Sequence, residues 1–160
     1  MKFTAITLAA SAALLSAAVA NAESYTFTYT GSTVQATGVL EVFEGVATAG
    51  SITVSGIEGM EGTFSLMAGN GYSPSNAFFF DNQVSEEGQH LTGGGLLFMR
   101  GAQEINVWGN SATSYSLYGW NAGYNPQDND GTFIMNTVPG PGAMALLGAA
   151  GLVASRRRRA

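Results

Sequence analysis

The chain has 160 residues, 46% hydrophobic, with 22 glycines, no cysteine and one histidine, a size and apolar content that suit one folded domain. The missing cysteine excludes a disulfide scaffold, thiol catalysis and Cys-ligated metals, and the lone His90 excludes multi-histidine sites within one chain. Net charge is −5, but eleven carboxylates between Glu23 and Thr137 face one fixed cation, Arg100, so that stretch carries −10 and repels nucleic acid and anionic membranes.

Residues 1–22 read as a secretory signal peptide. Lys2 supplies the positive start, Phe3 to Leu15 the apolar stretch, and Ala20-Asn21-Ala22 a small-x-small cleavage site for signal peptidase. The cut is expected before Glu23, where the composition shifts.

Residues 23–137 read as one β-domain. Tyr25, Phe27 and Tyr29 alternate with Thr26, Thr28 and Thr30, the period-2 pattern of a half-buried strand. Further strands are expected at Val39–Phe43, Ser51–Ile57, Thr63–Met67, Leu96–Met99, Glu104–Trp108, Tyr115–Trp120 and Thr132–Met135. Phe78-Phe79-Phe80 is expected to be buried on both faces. Glycine, asparagine and acidic pairs such as Glu44-Gly45, Glu87-Gly88 and Asn129-Asp130-Gly131 punctuate them as turns. No window shows a helical stripe. The pattern predicts a single antiparallel β-sandwich or jelly-roll, with a closed barrel as the nearest competitor.

Candidate chemistry in this domain is sparse. No Gly-x-Ser-x-Gly turn occurs, and His90 sits in a polar stretch that reads as an exposed loop. The pairs Glu41/Glu44, Glu58/Glu61 and Glu86/Glu87 read as solvated turn charges rather than glycosidase acids. No catalytic residue is assigned, and the domain is read as non-enzymatic. Asp128 and Asp130, in Asp128-Asn129-Asp130-Gly131, are the candidate calcium ligands, since hard oxygens ahead of a glycine turn suit Ca²⁺. Asp81 and Asn82 could add ligands if the fold brings them near; otherwise the motif is an Asx-rich turn. Tyr118 and Trp120 share one strand face and are the candidate ligand-binding pair, because flat aromatic rings stack on sugars.

Residues 138–160 have three parts. Thr137-Val138-Pro139-Gly140-Pro141-Gly142 cannot form a helix or an interior strand, and Val138, Pro139, Gly140 and Pro141 within it are the candidate sorting motif. A twelve-residue apolar run, Ala143 to Ala154, is expected to form a short helix. It would reach about 18 Å, short of a hydrocarbon core of roughly 30 Å. Arg156, Arg157, Arg158 and Arg159 then form a basic stop signal that would hold the end on the cytoplasmic side. A short apolar stop of this kind reads as a transient anchor, the plain alternative being a single-span anchor.

This tail resembles the PEP-CTERM sorting signal, with Gly140 where the family motif has glutamate. The upstream patterns, Phe27–Gly31, Ala36–Leu40, Ser51–Ile57, Asn76–Asn82, Leu91–Phe98 and Ile105–Trp108, are similar to the small β-domains found ahead of such tails. The resemblance implies processing by an exosortase-type membrane enzyme, a setting rich in exopolysaccharide, and membrane contact only through the C-terminal helix before processing. It implies a protein brought to the cell surface or extracellular matrix for a structural or adhesive role, or, as the alternative, a carbohydrate-binding module. It carries no catalytic residues with it.

Overall fold

The computed structural model describes residues 22–139, all of whose regular elements are strands. The expected signal peptide, with Ala20, and the sorting residues Gly140, Pro141 and Arg156–Arg159 lie outside the described residues. Ala22 precedes the first strand, Val138 ends the last, and Pro139 follows it.

The strands are β1 (Glu23–Thr30), β2 (Gln35–Phe43), β3 (Val46–Ser55), β4 (Gly62–Leu66), β5 (Gly71–Tyr72), β6 (Phe79–Phe80), β7 (Leu96–Arg100), β8 (Gln103–Gly109), β9 (Tyr115–Trp120) and β10 (Gln127–Val138). Eight of them form one closed antiparallel barrel in the order β1-β10-β9-β8-β7-β4-β3-β2, while β5 and β6 make a separate ribbon. The expected sandwich is therefore corrected to a barrel. Closure comes from β1, which pairs along its length with β2 on one side and with β10 on the other. Each of the eight strands has a paired neighbour on both sides, which reduces the hazard of unpaired edges.

Alternation along each strand decides which side chains fill the barrel. Tyr25, Phe27 and Tyr29 point inward and are buried, whereas Thr26, Thr28 and Thr30 face out, as expected. Leu40, Ile52, Val54, Phe64, Leu96, Phe98, Ile105, Val107, Leu117 and Phe133 complete the core. An eight-stranded barrel is just wide enough for its own side chains, and these leave a packed interior. An apolar interior with threonine and serine outside is the reverse of a membrane-spanning barrel, whose outer band is apolar.

Two glycines make room for the large rings of β1. A Cβ at Gly38 on β2 would sit 2.2 Å from the Phe27 ring, and one at Gly131 on β10 would sit 2.4 Å from that of Tyr29. Rings on the central strand thus lie across both neighbours. Phe27 stacks on Phe133 at 5.2 Å between ring centroids, which ties β1 to β10 at the closure.

The residues between β4 and β7 form a long excursion. Phe80 is buried apart from the main core, while Phe79 is 54% exposed and meets Tyr72 across the ribbon at 5.6 Å. The Phe78–Phe80 run is therefore not buried on both faces: a ribbon lying on a wall has one dry face only. Asn82 fixes its end by donating to the carbonyls of Met67 and Gly69 and accepting from the N–H of Leu97. Residues 83–91 then cap the barrel mouth that holds both ends of the described chain, through contacts to Gly45, Gly109 and Tyr115.

Candidate functional site

The outer wall near the β9–β10 connection holds an aromatic groove. It has a volume of about 300 Å³ and is lined by Ala77, Phe78, Tyr118, Gly119, Trp120, Asn125 and Gln127. Tyr118 and Trp120, the expected pair, do share the outer face of β9, because Leu117 and Gly119 take the inner positions. The excursion adds Phe78, which no reading of β9 could have supplied.

The groove is held by hydrogen bonds behind it. Glu104 on β8 is buried, stands opposite Trp120 in the register, and accepts from the Ser75 N–H at 2.8 Å and the Ser75 hydroxyl at 2.6 Å. That bond pins the Ser73–Phe78 turn, and with it Phe78, to the wall. Tyr118 is fixed twice: its hydroxyl donates to Asn129 Oδ1 at 3.0 Å, and its ring meets Trp108 edge-on at 4.5 Å. Rings held in this way lose little freedom when a ligand stacks on them. Among the described residues, no protein partner is found for the Trp120 indole N–H or for the side-chain amides of Asn125 and Gln127. Aromatic faces beside solvent-facing N–H and amide groups suit a polyhydroxylated ring, which is apolar on its C–H face and polar at its rim.

The expected calcium pair has a different fate. Asp128-Asn129-Asp130-Gly131 is not a turn ahead of the last strand but part of β10. Asp128 pairs with Leu117 and Gly131 with Tyr115, so the stretch holds a β-bulge, accommodated by a φ of 61° at Asp130. Asp128 is turned into the barrel end and is buried. Its Oδ1 accepts from the Tyr29 hydroxyl at 3.0 Å and the Ser32 N–H at 3.2 Å. Its Oδ2 accepts from the N–H groups of Thr33 at 2.9 Å and Val34 at 3.1 Å, and from the hydroxyls of Ser32 and Thr33. A Cβ at Gly31 would fall 2.0 Å from this carboxylate, so glycine is needed there. Burial alone would raise the Asp128 pKa; the N–H groups of Thr33 and Val34, the Tyr29 hydroxyl and the Ser32 N–H outweigh it and hold the carboxyl below its usual range. Asp130 is exposed and accepts from the Ser114 hydroxyl. Asp81 and Asn82 belong to the opposite end of the barrel. No three acidic or histidine side chains converge on a point among the described residues. The residues present do not fit a calcium ion, since the oxygens of Asp128 are already saturated by protein donors.

At the other mouth the Tyr25 hydroxyl lies within hydrogen-bond reach of Glu23, at 2.6 Å, and of Glu86 from the cap. Burial, with both carboxylates adding, pushes this phenol above its ordinary range. His90 is half-buried in the cap rather than exposed. Its Nδ1 meets the Ser85 carbonyl at 2.9 Å and its backbone N–H donates to the Tyr115 hydroxyl. A hollow of about 380 Å³ between the cap and the β2–β3 hairpin includes His90 and Glu44 but has no aromatic wall. The other acid pairs stay apart in role: Glu41 accepts from Ser24, and Glu44, Glu58 and Glu61 are exposed turn residues.

Nothing in the sequence marked Glu104 or Asp128 as buried clamps, because an acidic residue beside a turn usually faces water. Comparison with protein-family models, with curated proteins and with solved structures finds no match to this chain.

Proposed function

We propose that this is an exported, non-enzymatic protein of the cell surface or extracellular matrix, sorted through an exosortase-type enzyme, whose barrel adheres to polysaccharide. The observation that carries the adhesive role is the groove that Phe78, Tyr118 and Trp120 line together with the solvent-facing amides of Asn125 and Gln127. This joins the structural and the carbohydrate-binding readings: the barrel is the scaffold and the groove the contact.

Export and sorting are supported by the sequence of the two ends. Ala20-Asn21-Ala22 suits signal peptidase, and the order of Val138-Pro139-Gly140-Pro141, apolar run and arginines suits the sorting enzyme. β10 ends at Val138, the first residue of the expected sorting motif, and Pro139 follows it directly.

The test of the adhesive role is affinity electrophoresis of the exported protein through gels carrying polysaccharides. Retardation is expected for the wild type, with at least a tenfold weaker effect for Trp120→Ala. Equal migration of the two proteins in every gel would overturn it. The intact mass of the exported protein tests the sorting route. It is expected to start at Glu23 and to lack the arginines, and a mass that includes Arg156–Ala160 would mean a plain anchor.

A further inference from the structure

We infer that the groove selects neutral glycans and rejects polymers bearing carboxylate or sulfate groups; this rests on the polysaccharide-binding reading above and names its ligand class. No side chain that lines the groove is charged. Asn125 and Gln127 each offer one amide donor group and one carbonyl acceptor, which matches a hydroxyl, itself both donor and acceptor. A carboxylate or sulfate needs charge-assisted donors, above all arginine, to replace its water.

No such donor is within reach. Arg100 is the only fixed cation among the described residues. It is committed elsewhere: its guanidinium donates to the Glu61 carbonyl and to Gln103 Oε1, and it lies over the Phe64 ring at 4.3 Å. The ground behind the groove is acidic. Glu104 stands opposite Trp120 on the neighbouring strand and is buried under the Ser73–Phe78 turn. An acidic polymer seated on Trp120 would bring like charge close to the Glu104 carboxylate, since paired strands lie only about 5 Å apart, well inside the distance over which salt screens. Stacking is indifferent to that charge, so electrostatics decides between polymers of similar shape.

The experiment compares the exported wild-type protein with Trp120→Ala, Trp120→Phe and Asn125→Lys in gels of neutral glucans, mannans and galactans, and in gels of alginate and pectate. Far-UV circular dichroism confirms that each variant keeps the β-fold. The wild type is expected to bind at least one neutral polymer ten times more tightly than either polyuronate, with less than a twofold change between 50 and 500 mM NaCl. Trp120→Ala is expected to abolish that binding, Trp120→Phe to retain part of it, and Asn125→Lys to gain affinity for alginate. Alginate or pectate binding the wild type through Trp120 as tightly as any neutral polymer would overturn the selectivity and leave the groove as a glycan site. Absence of any Trp120-dependent binding, neutral or acidic, would overturn the glycan reading and this inference together.

Discussion

Strand β1 carries the same pairing at both mouths of the barrel, with opposite design. At one end Tyr29 donates to Asp128, whose two oxygens also receive three backbone N–H groups and two hydroxyls. At the other end Tyr25 has one proton to offer and two carboxylates, Glu23 and Glu86, beside it. The first site has more donors than the carboxylate needs, and the second has fewer. A buried carboxylate with surplus donors is a clamp that fixes the Gly31–Val34 turn and closes its mouth. A shared phenol with a donor deficit is a loose tie between the barrel and its cap.

The largest expected effect breaks the clamp. Asp128→Ala takes the acceptor from the buried Val34 N–H and from the N–H groups of Ser32 and Thr33, and leaves the Tyr29 hydroxyl only the backbone carbonyl of residue 128, so it should lower the unfolding free energy by about 2–3 kcal/mol in urea titrations. Asp128→Asn keeps the shape but loses the charge and one acceptor oxygen, and should cost roughly half as much. A loss below 1 kcal/mol for the alanine variant would mean that water satisfies the turn and that the clamp is superfluous.

The pH dependence has two limbs. The Asp128 pKa is lowered in the folded state, so its contribution is present above the unfolded value of 3.8 and disappears as pH falls through the lower, folded value. The Tyr29 and Tyr25 phenols are raised by burial and by their carboxylate neighbours, so their contribution is present below 10 and disappears as pH rises from there through the raised folded values. Melting temperature followed against pH should therefore fall at both extremes, and Asp128→Asn should flatten the acid limb. An acid limb unchanged in that variant would place its origin in other carboxylates.

The two phenols sharpen the contrast further. Tyr29→Phe removes a buried bond to a charged acceptor and should cost about 1.5–2 kcal/mol, while Tyr25→Phe should cost about 0.5 kcal/mol. The smallest effect is at the cap: Glu86→Gln keeps an acceptor for Tyr25 and removes a like-charge neighbour of Glu23. It should leave the unfolding midpoint unchanged or slightly higher, and a clear drop would show that the Glu86 charge holds the cap.

Much of the barrel was legible from local pattern. The alternation of Tyr25, Phe27 and Tyr29 with threonines assigned β1 and its inner face, and Glu44-Gly45 gave the tight β2–β3 turn, with φ values of 50° and 77°. The shared face of Tyr118 and Trp120 followed from the same period. Phe78–Phe80 misled because three adjacent phenylalanines look alike in a sequence, whereas a two-stranded ribbon on a wall buries one and exposes the next. Asp128-Asn129-Asp130-Gly131 misled because its composition is that of a turn. Its role as a bulge depends on Leu117 and Tyr115, which lie on the neighbouring strand.

Composition and order by themselves determined the acidic, cysteine-free, all-β character of the domain, since these depend on residue counts and on a period of two along single strands. Whether those strands make two facing sheets or one closed one was decided only in three dimensions. Closure requires β1 to pair with β10, over a hundred residues away, and the glycines that permit it, Gly38 and Gly131, show their purpose only against the rings of Phe27 and Tyr29. The groove was decided in the same way. One strand supplied Tyr118 and Trp120, but Phe78 arrives from a distant excursion pinned by Glu104, a contact that no local property of either segment encodes.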